Sequence, residues 1–463
     1  MRKKALLAAM MALVLLLSSC ALIQKDEAVD NATEIIRMGD QVITKAEVKE
    51  QTQNQLYNTY STYSMIGYSY DVTDPKNIAD AQDKAITALK KDLALTAKAK
   101  ELGLDQLTDE ETEEAKTTGQ TNYDDDIDYY VKNYLTDTEG NDEETLKQEA
   151  EKALNEGGYT LETYVESATK TAIDKKLKDY VIKDVVVTDE EIQAEYDSKV
   201  EADKTTYGEN AGAWADAANS SSSTLYYTPA GVRRVKQILT KFKDEDQKAI
   251  DDAKQAQTDA NTARTTAQNK IDAAQKTLDT EGDSEELQAE KEQAQADLNA
   301  ANEELEAADK ALTDATQAIE DATNKAFANL DEEVDAILAS LDEEGADWDA
   351  IMKEKNQDPG MTDNEKGYAV AEGMTKFDSA FVDAAMALEK IGDHSGKVKG
   401  TSYGYYIIRY ESDEPEGPVA LDEVKESISS SLLSTKQTDT YNAQVDQWVE
   451  EAGIKVDLNA LKD

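Results

Sequence analysis

Few residues of this chain are of a type that does covalent chemistry. Its 463 residues include one histidine, His394, and one cysteine, Cys20. A zinc site needs three or four such ligands, and a Ser-His or Cys-His nucleophile pair needs a base beside it, so both chemistries are excluded and neither metal nor cofactor is expected. No glycine-rich loop follows a strand to cradle a phosphate. The acidic run Asp124-Asp-Asp-Ile-Asp128 lacks the ligand spacing of a calcium loop and reads as a solvated face. What remains is residues 358–410, with Asp358-Pro359-Gly360, Gly367-Tyr368, the apolar run Phe381-Val-Asp-Ala-Ala-Met-Ala-Leu388 and the strand-like Gly404-Tyr-Tyr-Ile-Ile-Arg-Tyr410. These groups offer hydrogen bonding and apolar contact. Asp358-Pro359-Gly360 also suits an ordinary turn.

The elements that must position them follow from hydrophobic period. Residues 381–388 read as a short amphipathic helix, and 404–410 and 234–241 as strands, giving a compact α+β piece. Between those strands, residues 244–324 turn to Ala, Gln, Asp, Glu and Lys. Ala249, Ala253, Ala256, Ala260, Ala263, Ala267, Ile271, Ala274 and Leu278 form one seam, and Ala294, Leu298, Ala301, Leu305, Ala308, Leu312, Ala315, Ile319 and Ala322 a second. Steps of four and three predict a coiled coil, and Thr280-Glu-Gly-Asp-Ser284 between the arms makes it an antiparallel hairpin. Its two ends return to one point, so the α+β piece survives the insertion. The second arm is expected to continue through Ala326, Leu330, Val334, Ile337 and Leu341.

Upstream, residues 35–43 predict a hairpin turning at Gly39-Asp40, followed by a helix capped by Thr44 and Glu47. Thr108 with Glu111 and Thr188 with Glu191 are two more capping boxes, Gly103 a helix stop, and Val185-Val-Val187 a strand-like run. Tyrosines are dense at Tyr57, Tyr60, Tyr63, Tyr68 and Tyr70. They are expected to pack the interior of this region; capture of unfolded chains is the alternative. A net charge of -49 argues against nucleic acid and against a direct grip on an anionic membrane surface. At the start, Arg2-Lys3-Lys4 and the apolar residues 5–17 suit a signal-peptide core and are too short to span a bilayer. Residues 21–33 read as a flexible tether.

Leu17-Ser-Ser-Cys20 resembles a bacterial lipoprotein signal over residues 1–20, which implies cleavage before Cys20, lipid on Cys20 as the mature N-terminus, and an extracytoplasmic protein anchored to the outer face of the cell membrane. Residues 234–241 and 358–410 resemble the two halves of a parvulin-type peptidyl-prolyl isomerase domain. The hairpin-plus-helix start and the C-terminal helix and strand near 421–456 are similar to the chaperone lobe of PrsA and SurA foldases. The resemblance implies a mostly helical α+β chain. Its parts would be a discontinuous chaperone lobe (34–218 and 413–463), a linker (219–230) and a parvulin-like domain (231–412) interrupted by the coiled-coil hairpin. It implies unfolded exported polypeptides as partners and leaves a dimer open.

In parvulins two histidines and a Cys or Asp form the polar part of the site, and Met, Phe and Leu form a proline slot. Carried over, the histidine positions fall on Gln237 and Tyr406, the Cys/Asp position on Asp358, and the slot residues on Phe381 and Met374. The family's Gly-Gly-Asp-Leu-Gly is reduced to Asn364-Glu-Lys-Gly367, the slot leucine has no counterpart, and His394 lies outside the motif. Gln237 and Tyr406 hydrogen-bond but do not titrate near neutral pH as histidine does. The implied function is a foldase with an isomerase-type domain, or a catalytically silent holdase that keeps the fold as a binding platform.

Overall fold

The computed structural model describes residues 27–135, 142–220, 224–282 and 284–461. Cys20 and the expected signal peptide lie outside them. The chain is α+β and mostly helical, and it divides into two compact units, Met1–Val187 with Ser429–Asp463, and Thr188–Ile428. Part of the expected tether is structured: Glu27–Asn31 is helical, and its Asp30 meets the buried Lys45 Nζ at 3.1 Å.

In the first unit, strand Glu34–Met38 pairs antiparallel with Gln41–Thr44 on one side and with the C-terminal Lys455–Val456 on the other. Gly39 turns the hairpin at a φ of 59°, where a Cβ would be strained. The Thr44 and Thr108 capping boxes form as expected, and Gly103 ends Pro75–Leu102 in the left-handed region. Ile35, Ile36, Ile43, Val48 and Ile86 make one core, while Leu95 and Leu177 make another with Val445 and Trp448 of the C-terminal helix. Residues 185–187 form no strand; they are the extended lead into the Thr188 cap.

The second unit is built on a four-stranded antiparallel sheet in the order Tyr368–Val370, Arg233–Lys241, Gly404–Asp413, Val398–Lys399. Side chains of a strand alternate between faces, so the sheet carries two cores. On one face Val235, Leu239, Tyr406 and Ile408 pack with Phe381, Val382, Met374 and Trp214. On the other, Ile238, Phe242, Tyr405 and Ile407 pack with Phe327, Leu330, Val334 and Trp348.

The insertion is a helical hairpin of Asp244–Leu278 and Glu285–Ala328. At about 1.5 Å per residue the first arm is about 50 Å long. Its root is fixed to the sheet: Phe327 packs edge-on against Phe242 at 4.9 Å and Tyr405 at 4.8 Å, and the Asn329 amide donates to both oxygens of the buried Asp246. The second arm buries or half-buries its whole expected seam. The first does not: Ala260, Ala267 and Ala274 are buried, whereas Ala249, Ala256 and Ala263 face solvent. Alanine occurs on both faces of that arm, so its spacing did not single out one stripe. Arg264 to Asp309 at 2.7 Å and Lys270 to Glu304 at 2.6 Å bridge the arms.

The boundary between the units also differs from the expectation that the lobe runs to 218. Helices Asp189–Tyr207 and Ala211–Ala218 belong with the second unit, because long-range polar contacts hold them there. The Asn219 side chain bonds both backbone groups of Ala369, and the Tyr196 hydroxyl donates to Val419 O at 2.7 Å.

Candidate active site

The sheet edge creates the site. Strand Tyr368–Val370 pairs only with residues 233–235 of the neighbouring strand, leaving its far half open. Residues 356–357 fill that gap: Leu239 N donates to Asn356 Oδ1, Gln357 N donates to Leu239 O, and Lys241 N donates to Gln357 Oε1. The chain then turns at Asp358, whose Oδ1 accepts from Gly360 N at 2.9 Å to cap the short 3-10 turn Pro359–Met361. A Cβ on Gly360 would sit 2.0 Å from the Tyr368 hydroxyl, so a larger residue there would push that hydroxyl off Asp358. Asp358 is therefore both a turn residue and the end of an edge extension that faces Gln237.

The other oxygen of Asp358 accepts from Gln237 Nε2 at 2.6 Å and from the Tyr368 hydroxyl at 2.8 Å. That contact fixes the Gln237 amide, because the flipped orientation would set its carbonyl against a carboxylate. Gln237 Oε1 is then a buried acceptor with no partner among the described residues. Leaving it so costs about 1–3 kcal/mol. Burial, then the Asp358 hydrogen bond, push the Tyr368 hydroxyl well above the usual tyrosine range. Burial, then the negative charges of Asp378, Tyr403 and Asp358, do the same for Tyr406. Both hydroxyls stay protonated, and that of Tyr368 donates to Asp358.

The five candidate residues Gln237, Asp358, Tyr406, Phe381 and Met374 lie on one side of the sheet. Gln237 and Asp358 touch directly, and the Tyr406 ring meets Phe381 at 5.4 Å. Among the described residues the Tyr406 hydroxyl has no hydrogen-bond partner. Phe381, only 2% exposed, and Met374 are core residues and not the open wall that a slot needs. The apolar surface that reaches solvent is supplied by Tyr368 and Phe377, whose rings meet edge-on at 4.9 Å.

Sequence reasoning missed three contributors. Tyr368 was noted only within the Gly367-Tyr368 pair and given no role in the site, and Asn356 had no signal beyond its residue type. Asp216 was read as part of the chaperone lobe, yet its carboxylate accepts from Thr375 N, Thr375 Oγ1 and Lys376 N and grips the loop that carries Met374. Helix Ala211–Ala218 lies so close that a Cβ on Gly212 would be 2.2 Å from the Gly373 carbonyl carbon.

His394 is elsewhere. It bridges to Arg409, its ring is 6.0 Å from Trp348, and its Nε2 is 3.4 Å from Asp342, all on the opposite face of the sheet. Among the described residues no cluster of His, Cys, Asp and Glu suits a metal, and no helix is long and apolar enough to cross a membrane.

No family model matches the chain. It is 33% identical to Foldase protein PrsA of Clostridium botulinum over 112 residues, 24% of this chain and 32% of that one. It is 35% identical to Foldase protein PrsA 2 of Listeria monocytogenes over 122 residues, 26% of this chain and 40% of the other. The chain thus spans between about a third and two fifths of the curated relatives that it matches. Among solved structures, foldase protein PrsA from Streptococcus pneumoniae aligns over 93% of this chain and 97% of its own at 14% identity, with a TM-score of 0.21. A structure reported for SurA-like chaperones of Campylobacter jejuni aligns over 76% and 96% at 16% identity, with a TM-score of 0.25. Over about a quarter of its length, then, the chain is similar in sequence to PrsA foldases.

Proposed function

We propose that this chain is an extracytoplasmic foldase, carried to the outer face of the bacterial membrane by lipid on Cys20, that acts on unfolded polypeptides after export. In this reading residues 1–20 are the lipoprotein signal, cleaved before Cys20, and the units divided near 188 and 428 are the chaperone lobe and the isomerase-type domain. Similarity to PrsA foldases supports the role. The observation that carries it to a site is the Gln237–Asp358 contact on the same sheet face as the unpartnered Tyr406 hydroxyl.

Prolyl isomerisation crosses a barrier of about 18–20 kcal/mol and needs no nucleophile. It needs the amide desolvated and its double-bond character weakened. Tyr406 donates to the prolyl amide, the Gln237 amide positions it, and Asp358 holds Gln237 and Tyr368 in place while Phe377 and Tyr368 offer apolar surface. With no titrating base among them, the rate is low. A holdase without turnover is the second reading, favoured by the burial of Phe381 and Met374, which closes the expected slot.

Exchange NMR on a panel of X-Pro peptides separates these. The foldase reading expects weak catalysis lost in Asp358→Ala and kept in His394→Ala. A wild-type rate equal to the uncatalysed one leaves the holdase, and failure to suppress client aggregation as well ends both. Globomycin-sensitive processing tests the anchor; release of the protein with Cys20 unmodified contradicts it.

A further inference from the structure

Helix Lys45–Met65 of the first unit outruns its own core. Its buried residues are Lys45, Val48, Thr52 and Leu56, and none follows in the last nine positions. That protruding end carries Tyr57 at 43% exposure and Tyr63 at 42%, and the turn beyond it Met65 at 78%, Ile66 at 64% and Tyr68 at 69%. The expectation that these tyrosines pack the interior is therefore wrong for Tyr57, Tyr63 and Tyr68. Its rings touch one another: Tyr63 meets Tyr70 at 5.3 Å in a tilted contact, and on helix Asp109–Tyr134 Tyr129 and Tyr130 pack on Tyr134. Burial, then Tyr129 and Tyr57, raise the Tyr134 hydroxyl above its ordinary value, so Tyr57 lies within electrostatic reach of the second helix.

Charge distinguishes the patch as well. Residues 51–70 contain no Asp, Glu, Lys, Arg or His, in a chain that is 32% charged, so apolar groups can dock there without desolvating an ion. Its borders are acidic. Asp71, Asp74 and Asp80 follow it, and Asp124, Asp125, Asp126 and Asp128 precede the tyrosines of the second helix. Lys76 and Lys132 are the basic groups among them in sequence, Lys76 is spent on Asp80, and Lys147 pairs with Asp128 at 3.0 Å, which leaves the acidic groups in excess. A second copy would bring the same acidic border against this one, so the charge disfavours self-association. Tyrosine rings attract apolar side chains at low entropy cost and cations at their faces.

We infer that the tyrosine patch of residues 57–70 with Tyr129 and Tyr134 is a docking surface for an extended, unfolded segment whose aromatic or large apolar side chains are flanked by Lys or Arg. The inference rests on the foldase reading and deepens it by stating the chemistry of the client and where on the lobe it binds. The test is fluorescence anisotropy with two labelled peptides of one aromatic core, flanked by Lys or by Glu. The full chain binds the Lys-flanked peptide at least about tenfold more tightly, and high salt narrows the gap. The triple variant Tyr57→Ser/Tyr63→Ser/Tyr68→Ser loses at least about tenfold in affinity, with circular dichroism and melting unchanged because the side chains are exposed. Equal affinity of variant and wild type, or of the two peptides, overturns the inference. So does a wild-type dimer that the triple variant dissociates, since the occupant is then a second copy. Client aggregation keeps the two claims apart: wild type that suppresses it while the variant does so equally refutes only this surface, whereas wild type that does not suppress it refutes the foldase reading.

Discussion

The two faces of the second unit's sheet are one residue apart in sequence and opposite in character. On the face of Ile238, Tyr405 and Ile407, apolar side chains meet Phe242, Phe327 and Trp348 and anchor the hairpin root. On the face of Gln237 and Tyr406, the same strands bury a glutamine with an unpaired carbonyl beside a carboxylate. An apolar residue in place of Gln237 would pack at no such cost. The packing face also leaves one buried donor, the Trp348 indole N–H, without a partner among the described residues. The difference therefore lies in the carboxylate that Asp358 sets against Gln237 at the sheet edge, a charged group where the other face has packing, which is the pattern of a functional site.

Four substitutions sharpen or break this contrast. The largest effect belongs to the packing face: Phe327→Ala removes the ring between Phe242 and Tyr405 and costs about 3–5 kcal/mol, read as a lower urea midpoint for the second unit through Trp214 and Trp348 fluorescence. Asp358→Ala strips the partner from Gln237 Nε2 and the Tyr368 hydroxyl and costs about 2 kcal/mol by the same readout, together with loss of X-Pro catalysis. Gln237→Met is the most diagnostic. It removes the orphan carbonyl, so stability stays within about 1 kcal/mol of wild type or rises, while catalysis still falls. His394→Ala is the smallest, under about 1 kcal/mol and silent in catalysis, because its partners are on the packing face.

The pH profile follows from the same groups. Tyr368 and Tyr406 have raised values in the fold, so their neutral forms are favoured there. Their contribution is complete below the ordinary tyrosine value of about 10 and is lost only as pH rises through the higher folded value. Catalysis and stability of the second unit are expected to be level from about pH 6 to 9 as far as these groups are concerned. A histidine-driven site would instead change near pH 6.5, within about a unit.

What the sequence made legible was local. The capping boxes at Thr44, Thr108 and Thr188, the stop at Gly103 and the helical hairpin depend on residues a few positions apart, and each appears where the spacing put it. What it hid depends on distant pairing. Gln237 meets Asp358 across 121 positions, and Asp216 meets Thr375 across 159, so neither contact leaves a periodic trace. The site residues were suggested by family resemblance alone, and burial then changed the meaning of Phe381: a Phe381→Ala variant loses core packing and reports on folding before it reports on a slot. The first hairpin arm failed for a related reason, since alanine marks no face by itself.

Two side-chain N–H groups make the most direct test, because the Gln237 amide and the Trp348 indole are buried on opposite faces of one sheet. Titrating an X-Pro peptide into isotope-labelled protein and following both signals decides which face is engaged. The account predicts that the Gln237 amide resonances shift with saturation while the Trp348 indole and His394 signals stay fixed. Saturable shifts at Trp348 and His394 with Gln237 unmoved would contradict it.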